Sequence, residues 1–237
     1  MSLSTWETFW DRQHGEGSSP IGRWLFKLRE QRVGVAYAKV AMRYVPQQGR
    51  VLEAGCGSAI GSVWLHKMRQ DAIVALDLYE RALRVCQDTA QRHAARVELV
   101  QGSLFALPFP DKSFTLCWNS GTLEHFYHDD LVAIIREMRR VSRVAIGIVP
   151  AQHPMWSWPL AIARRLGPKV ESLVNEGGYF RLYREREFRE IFAEAAFDRT
   201  ESLTFHSAGF PFTVAIGIDA VPATSAASPP ASAVTAR

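Results

Sequence analysis

Along most of this chain the spacing of apolar residues switches between two periods, and the switches mark out its elements. Between residues 23 and 44, Leu25, Leu28, Val33, Ala36, Tyr37, Val40 and Tyr44 recur mostly three or four apart, with the basic residues largely elsewhere on the wheel. That spacing predicts a helix with one face on a core. Ser18-Ser19-Pro20 supplies its start, a capping serine and a proline preset for the first turn, and Pro46 supplies its stop. Trp6, Phe9 and Trp10 fit a further helical face ahead of it. From residue 51 onward short apolar runs alternate with helical stretches: 51–53, 72–77, 97–101, 114–119 and 143–149 read as strands, and 63–68, 79–93 and 129–140 as helices. A run such as 72–77, apolar almost throughout, is expected of a parallel strand covered on both faces, and strands joined by crossover helices make a doubly wound sheet.

Beyond residue 180 the order changes. Residues 185–196 read as a helix, and 199–205 and 212–218 as two strands joined by a turn at His206-Ser207-Ala208-Gly209. The sum is an α/β fold: a mostly parallel seven-stranded sheet with helices on both faces and an antiparallel C-terminal hairpin. From residue 220 the chain is Ala, Ser, Pro, Val and Thr with one charge at Arg237, too poor in large apolar groups to order. The expected division is a helical cap over 1–46, an α/β domain over 47–219 and a disordered tail over 220–237.

The chemistry concentrates where the first strand meets its helix, at Glu53-Ala54-Gly55-Cys56-Gly57-Ser58-Ala59-Ile60-Gly61. Gly55 and Gly57 can take backbone angles closed to other residues and let a ligand approach the main chain at a helix N-terminus. Such a loop serves dinucleotides as well as other nucleotide-type cofactors, but the G-x-G-x-x-x-G spacing departs from the dinucleotide fingerprint. Glu53 separates the two. A carboxylate just ahead of the first glycine repels a pyrophosphate and attracts a cofactor bearing an ammonium and a sulfonium. Asp77, at the end of the second strand and twenty residues after Gly57, is placed to accept from two ribose hydroxyls, with Leu78 beside the base.

On these residues the chain resembles the class I S-adenosylmethionine-dependent methyltransferases, whose first motif is Glu/Asp-x-Gly-x-Gly-x-Gly; Ala59 stands at the third glycine. Gly102-Ser103-Leu104 with Leu107-Pro108-Phe109 and Ser113-Phe114 is similar to the Gly-Asp-Ala, Leu-Pro-Phe and Ser-Phe-Asp pattern of the type 11 branch, which includes the ubiquinone and menaquinone C-methyltransferases. Ser103 replaces the acidic residue that meets the adenine amino group in that branch. The resemblance implies S-adenosylmethionine as cofactor, S-adenosylhomocysteine as product, and a site built from Glu53, Gly55, Cys56, Gly57, Asp77, Leu78, Ser103, Leu104 and Asn119. It also implies the terminal hairpin, and a substrate lid at 150–180, where Met155, Trp156, Trp158, Pro159, Leu160 and Ile162 form an apolar patch followed by Arg164, Arg165 and Lys169. A lid over an apolar or aromatic acceptor and a helix packed on the core are equally compatible with that composition.

His125, in Leu123-Glu124-His125 after the fourth strand, is the candidate general base, with His128, a weaker one, and His153 beside it. Glu124, His125, His128, Asp129 and Asp130 could suggest a metal, but Asp129 and Asp130 are placed to cap a helix, so no metal is expected. There is no Asn/Asp-Pro-Pro-Tyr motif and no Pro-Cys pair, which speaks against methylation of DNA bases. The acceptor is therefore expected to be a small molecule and not nucleic acid. Two rivals stand beside this reading: an NAD(P)-dependent oxidoreductase, which lacks a Tyr-x-x-x-Lys pair here, and a non-catalytic S-adenosylmethionine-binding module, motivated by Ala59 and Ser103.

Composition changes this picture little. Three cysteines, Cys56, Cys86 and Cys117, without a C-x-x-C pair suit reduced thiols, and Met1 to Trp10 shows no signal-peptide pattern, so a cytoplasmic protein is expected. The net charge of +4 resides in residues 1–50, where eight Arg and Lys face four Asp and Glu. Such a run is usually a solvated face, and otherwise marks contact with an anionic partner or membrane surface.

Overall fold

The computed structural model describes residues 20–45, 47–167 and 179–220, with side chains described from Gln31 onward. Trp6, Phe9 and Trp10, the Ser18-Ser19 start signal, the stretch 168–178 of the expected lid and the tail from 221 lie outside those residues. In chain order the elements are α1 (Pro20–Tyr44), β1 (Arg50–Ala54), α2 (Ile60–Arg69), β2 (Ala72–Asp77), α3 (Glu80–Arg92), β3 (Val97–Gln101), β4 (Phe114–Ser120), a 3-10 turn (Leu123–His125), α4 (His128–Val141), β5 (Ser142–Pro150), α5 (Pro154–Leu166), α6 (Glu185–Glu194), β6 (Arg199–Ser207) and β7 (Phe210–Ile218).

Seven strands form one sheet in the order β3-β2-β1-β4-β5-β7-β6. The first five are parallel, with Val51 opposite Ile73 on one side and Leu116 on the other. β7 runs antiparallel between β5 and β6, Pro150 facing Phe212. Strand order reverses between β1 and β4, which opens a crevice at their C-terminal ends.

Alternation along the strands divides the core. Leu52, Ala54, Cys117, Ala145 and Val149 face α4 and α6, among Leu131, Ile135, Phe188 and Phe192. Val51, Leu116, Trp118, Ile146 and Ile148 face the opposite side, with Tyr37, Val40 and Leu65 of α1 and α2. On α1 the buried residues include Gly34, Tyr37, Ala38, Val40 and Ala41, while Val33, Ala36 and Tyr44 are only half-buried. The face is set by small residues because α2 crosses closely: a Cβ on Gly34 would lie 2.3 Å from the Trp64 ring, and one on Gly61 2.7 Å from the Trp118 ring.

Two local expectations need correction. The C-terminal strands run on to Ser207 and from Phe210, leaving Ala208 (φ 50°) and Gly209 (φ 85°) as a two-residue turn in place of a four-residue one. Both positive angles match the twist of the hairpin, as in type I′ turns. Helix α4 starts at His128 after Tyr127, with no side-chain cap; exposed Asp129 and Asp130 sit inside its first turn, where their charge suits the helix dipole.

Candidate functional site

The glycine loop is folded over the end of β2. The amides of Gly55 and Cys56 both donate to the Leu76 carbonyl, at 2.8 and 3.0 Å. Gly55 (φ 72°), Gly57 (φ 48°) and Ala59 (φ 50°) all occupy the left-handed region that this tight path requires. Asp77 closes the loop: its Oδ2 accepts from the Gly57 amide at 3.0 Å and its Oδ1 from the Tyr79 amide at 3.1 Å. A Cβ on Gly55 would stand 2.9 Å from Asn119 Nδ2, so β4 presses directly on the loop. The Asn119 amide is engaged at both ends, donating to the Ala54 carbonyl and accepting from the Thr122 and Leu123 amides. Asn119 thus holds the loop in place against the turn after β4. Thr122 adds a second tie, its hydroxyl donating to the Gly55 carbonyl at 3.2 Å.

Two acidic groups lie beneath this loop. Glu53 is 1% exposed. Its Oε1 accepts from the Ser120 hydroxyl at 3.2 Å; its Oε2 is buried without a hydrogen bond of standard geometry, and the Ser62 hydroxyl and amide lie close enough to act on the carboxyl. Burial pushes the Glu53 carboxyl up to about 7, against the pull of Ser62 and Ser120 and with the help of the Asp77 charge. Burial also raises the Asp77 carboxyl, opposed by the amides of Gly57, Tyr79 and Leu78. A buried carboxylate with one oxygen short of a well-formed hydrogen bond is costly unless a cation or donor arrives. Cys56 contributes backbone alone, since the adjacent Cys86 thiol and burial push its own thiol up and leave it an inert wall.

Apolar groups flank the carboxylates. Leu78, just past β2, and Phe105, past β3, are each 46% exposed, and Leu104 is half-buried against the core. The Ser103 hydroxyl accepts from the Phe105 amide at 3.2 Å and shapes its own turn.

After β4, the 3-10 turn buries His125, whose Nδ1 donates to the Tyr179 carbonyl at 2.9 Å and whose ring lies 5.5 Å from that of Phe180. Tyr127 and Tyr179 pack ring to ring at 4.2 Å, and Phe126 meets Phe105 edge-on at 5.7 Å. Phe126, Tyr127 and Tyr179 escaped the sequence reading, as did the ties that Thr122 makes to Gly55 and Ser120 to Glu53. They come from segments far apart in the chain, and no local spacing announces them.

The three candidate histidines are dispersed. His128 pairs with Glu194 at 3.0 Å on the outside, and His153 accepts from the Met155 amide at the start of α5. Among the described residues no three His, Cys, Asp or Glu side chains are grouped to hold a metal. The two tryptophans of the expected lid also part company. Trp156 donates from Nε1 to the Pro211 carbonyl at 2.7 Å and packs on Phe210 at 4.8 Å, whereas Trp158 is 71% exposed.

Comparison with known proteins follows this geometry. Residues 51–144 match the family described as a methyltransferase domain. A probable S-adenosylmethionine-dependent methyltransferase of Mycobacterium tuberculosis is 32% identical over 109 residues, 46% of this chain and 36% of the relative. The malonyl-[acyl-carrier protein] O-methyltransferase of Erwinia pyrifoliae is 35% identical over 97 residues, 40% and 33% of the two chains. The chain thus spans about a third of the length of these curated relatives. Among solved structures, magnesium protoporphyrin IX methyltransferase from Synechocystis with bound S-adenosylhomocysteine shares the fold with a TM-score of 0.64 at 17% identity, covering 92% of this chain and 95% of that one. The 1,6-didemethyltoxoflavin-N1-methyltransferase of Burkholderia thailandensis does so at 0.61 and 16%, covering 92% and 91%. Glycine loop, sheet order and matched family agree: residues 51–144 are similar to the methyltransferase domain of S-adenosylmethionine-dependent methyltransferases, and the sheet has the fold of solved methyltransferases.

Proposed function

We propose that the protein transfers a methyl group from S-adenosylmethionine to a small apolar or aromatic acceptor and releases S-adenosylhomocysteine. The observation that carries the cofactor assignment is the buried Glu53 carboxylate, one oxygen without a hydrogen bond of standard geometry, beneath a left-handed glycine loop closed by Asp77. A cofactor with a cationic amino acid portion answers that oxygen; a pyrophosphate would meet two carboxylates. Asp77 can accept further hydrogen bonds beside those from Gly57 and Tyr79, and Leu78, Leu104 and Phe105 offer apolar surface to a base. Ser103, Cys56 and Asn119 serve by shaping the walls and loop around it.

When bound, S-adenosylmethionine supplies an electrophilic methyl group with a good leaving group already in place. What remains for the chain is to orient the acceptor and exclude water, effects worth up to about 7–11 kcal/mol. Phe126, Tyr127, Tyr179 and Phe180 support an apolar or aromatic acceptor, because they gather flat apolar surface beside His125. The Tyr179 carbonyl fixes the proton on His125 Nδ1 and with it the ring's orientation. His125 is the proposed base for an acceptor that must lose a proton. The segment 150–180 is the proposed lid, with Trp156 anchoring it to the hairpin. The acceptor is the proposed partner, without nucleic acid, and the cytoplasm the proposed setting.

Titration calorimetry with S-adenosylmethionine, S-adenosylhomocysteine and NAD(H) tests the reading. The first two are expected to bind and the third not. Asp77→Ala should weaken S-adenosylmethionine binding by about 2–3 kcal/mol, as loss of charge-assisted hydrogen bonds does. Unchanged affinity in a folded variant removes Asp77 from the site, and NAD(H) binding restores the oxidoreductase. A screen for methyl transfer to apolar and aromatic acceptors separates enzyme from binding module.

A further inference from the structure

Helix α5 turns a row of large apolar side chains away from the protein. Met155, Trp158, Ile162 and Leu166 are 42, 71, 58 and 66% exposed. Their spacing of three, four and four residues places them along one side of the helix, with exposed Pro159 beside them. The helix is nonetheless firmly attached. Leu160 and Ala163 are buried on its inner side, and Trp156 ties it to the β6–β7 hairpin through Pro211 and Phe210. Scattered exposed apolar residues are ordinary, but a continuous stripe with a tryptophan as its most exposed member marks an interaction surface.

On α5 itself the charge has one sign. Residues 151–167 contain Arg164 and Arg165 and no Asp or Glu. Exposed Arg165 lies one residue from Leu166 and three from Ile162. At the hairpin tip the Ser207 hydroxyl donates to the Arg32 carbonyl at 3.3 Å, which brings exposed Arg32 of α1 to the same end of the sheet. α1 and α5 also share a neighbour, since the rings of Tyr37 and Trp156 both pack on Phe212. Apolar residues with an exposed Trp, on a helix that carries arginine and no acid, suit the headgroup zone of an anionic bilayer. No helix of the described residues is long and apolar enough to cross a membrane, so such a helix can only lie in the interface.

We infer that the outer face of α5 is a membrane-docking surface, on which Met155, Trp158, Ile162 and Leu166 enter the headgroup region of an anionic bilayer while Arg165 and Arg32 meet lipid phosphates. Its position has a consequence for the activity proposed above. α5 follows directly on the C-terminal end of β5, at the edge of the sheet where the glycine loop lies, so a bilayer-dissolved acceptor would meet the crevice without passing through bulk water. That consequence rests on the methyltransferase reading; the docking itself does not.

Sedimentation of the full chain with large vesicles tests it, using phosphatidylcholine mixed with phosphatidylglycerol and phosphatidylcholine alone. Binding to the mixed vesicles is expected, weaker in high salt and weaker still without phosphatidylglycerol. Trp158→Ser combined with Leu166→Ser should reduce partition into the mixed vesicles by about tenfold or more, with melting temperature and S-adenosylhomocysteine affinity unchanged. Arg165→Glu should lower binding to the mixed vesicles and spare the residual binding to phosphatidylcholine. The inference is overturned if the native chain stays in solution with the mixed vesicles, or if the double variant partitions as well as the native chain does. It is equally overturned if the native chain is a dimer that the double variant converts to monomer, since the stripe then serves a second copy. S-adenosylhomocysteine titration of the same samples reads the cofactor site separately.

Discussion

Ala59 carries a left-handed backbone, φ 50° and ψ 29°, on a residue with a Cβ, at the N-cap of α2 and without a capping hydrogen bond. Alanine is disfavoured there by about 1–2 kcal/mol, part of which glycine returns through its freer unfolded chain. Ala59→Gly should therefore raise stability by about 0.5–1 kcal/mol in urea unfolding, the loop geometry being kept. A loss would mean that the methyl group's packing against Cys56 and Cys86 outweighs its strain. Glu53 sets a pH dependence of definite sign. Its carboxyl is raised from 4.5 to about 7 in the folded chain, so the folded state binds more protons than the unfolded one between those values. The ligand-free protein should lose stability as pH rises through that window, by about 3 kcal/mol for a shift of this size. Glu53→Gln should flatten that slope in denaturation curves taken from pH 5 to 8. A cationic ligand favours the ionised form, so affinity for S-adenosylmethionine should climb by up to about tenfold per pH unit as pH approaches 7 and level off above it. Calorimetry showing pH-independent affinity in the native chain would detach Glu53 from the ligand.

Trp156 and Trp158 stand two residues apart on one helix and belong to different environments. Trp156 is half-buried, hydrogen-bonded to the hairpin and packed on Phe210 and Phe212. Trp156→Ala should cost about 2–4 kcal/mol, somewhat less than truncation of a fully buried tryptophan. Trp158→Ala should leave the unfolding free energy within about 0.5 kcal/mol, as surface substitutions do. Thermal melting of the two single variants checks both figures. Composition could not make that division, because both residues read equally well as lid or core. The same helix shows why: its inner and outer sides both carry large apolar groups, and only contact with β7 tells them apart. In α1, likewise, spacing pointed to Val33, Ala36 and Tyr44 along with Tyr37 and Val40, while close contact with α2 runs through Gly34, against Trp64, and Tyr37, against Gly61.

Across the whole molecule, the proposed cofactor site draws on β1, β2, β4 and the loop that ties them together, so ligand binding there should report on global stability. At a ligand concentration a hundred times the dissociation constant, S-adenosylhomocysteine should add about 2.7 kcal/mol. At about 2–4 °C per kcal/mol for a chain of this size, that is a rise in melting temperature of about 5–10 °C. NAD(H) at equal concentration should leave the melt unchanged, and the reverse result would reassign the cofactor. Strand and helix order, the parallel sheet with its terminal hairpin, the glycine loop and the place of Asp77 at the end of β2 were all legible along the chain. They rest on periodicity and on spacing within one strand–turn–helix unit, which local backbone geometry dictates. The rest of the site was not legible, for a different reason. Ser120 reaches Glu53 because parallel pairing sets Glu53 opposite Trp118, and Glu53 Oε2 is left without a hydrogen bond of standard geometry by packing from several elements at once. Asn119, read as a cofactor contact, is engaged with Ala54, Thr122 and Leu123. His125 is held by Tyr179, fifty-four residues away. Hydrogen-bond partners and burial depend on which distant segments meet, and that meeting is a property of the folded chain which no window of the sequence contains.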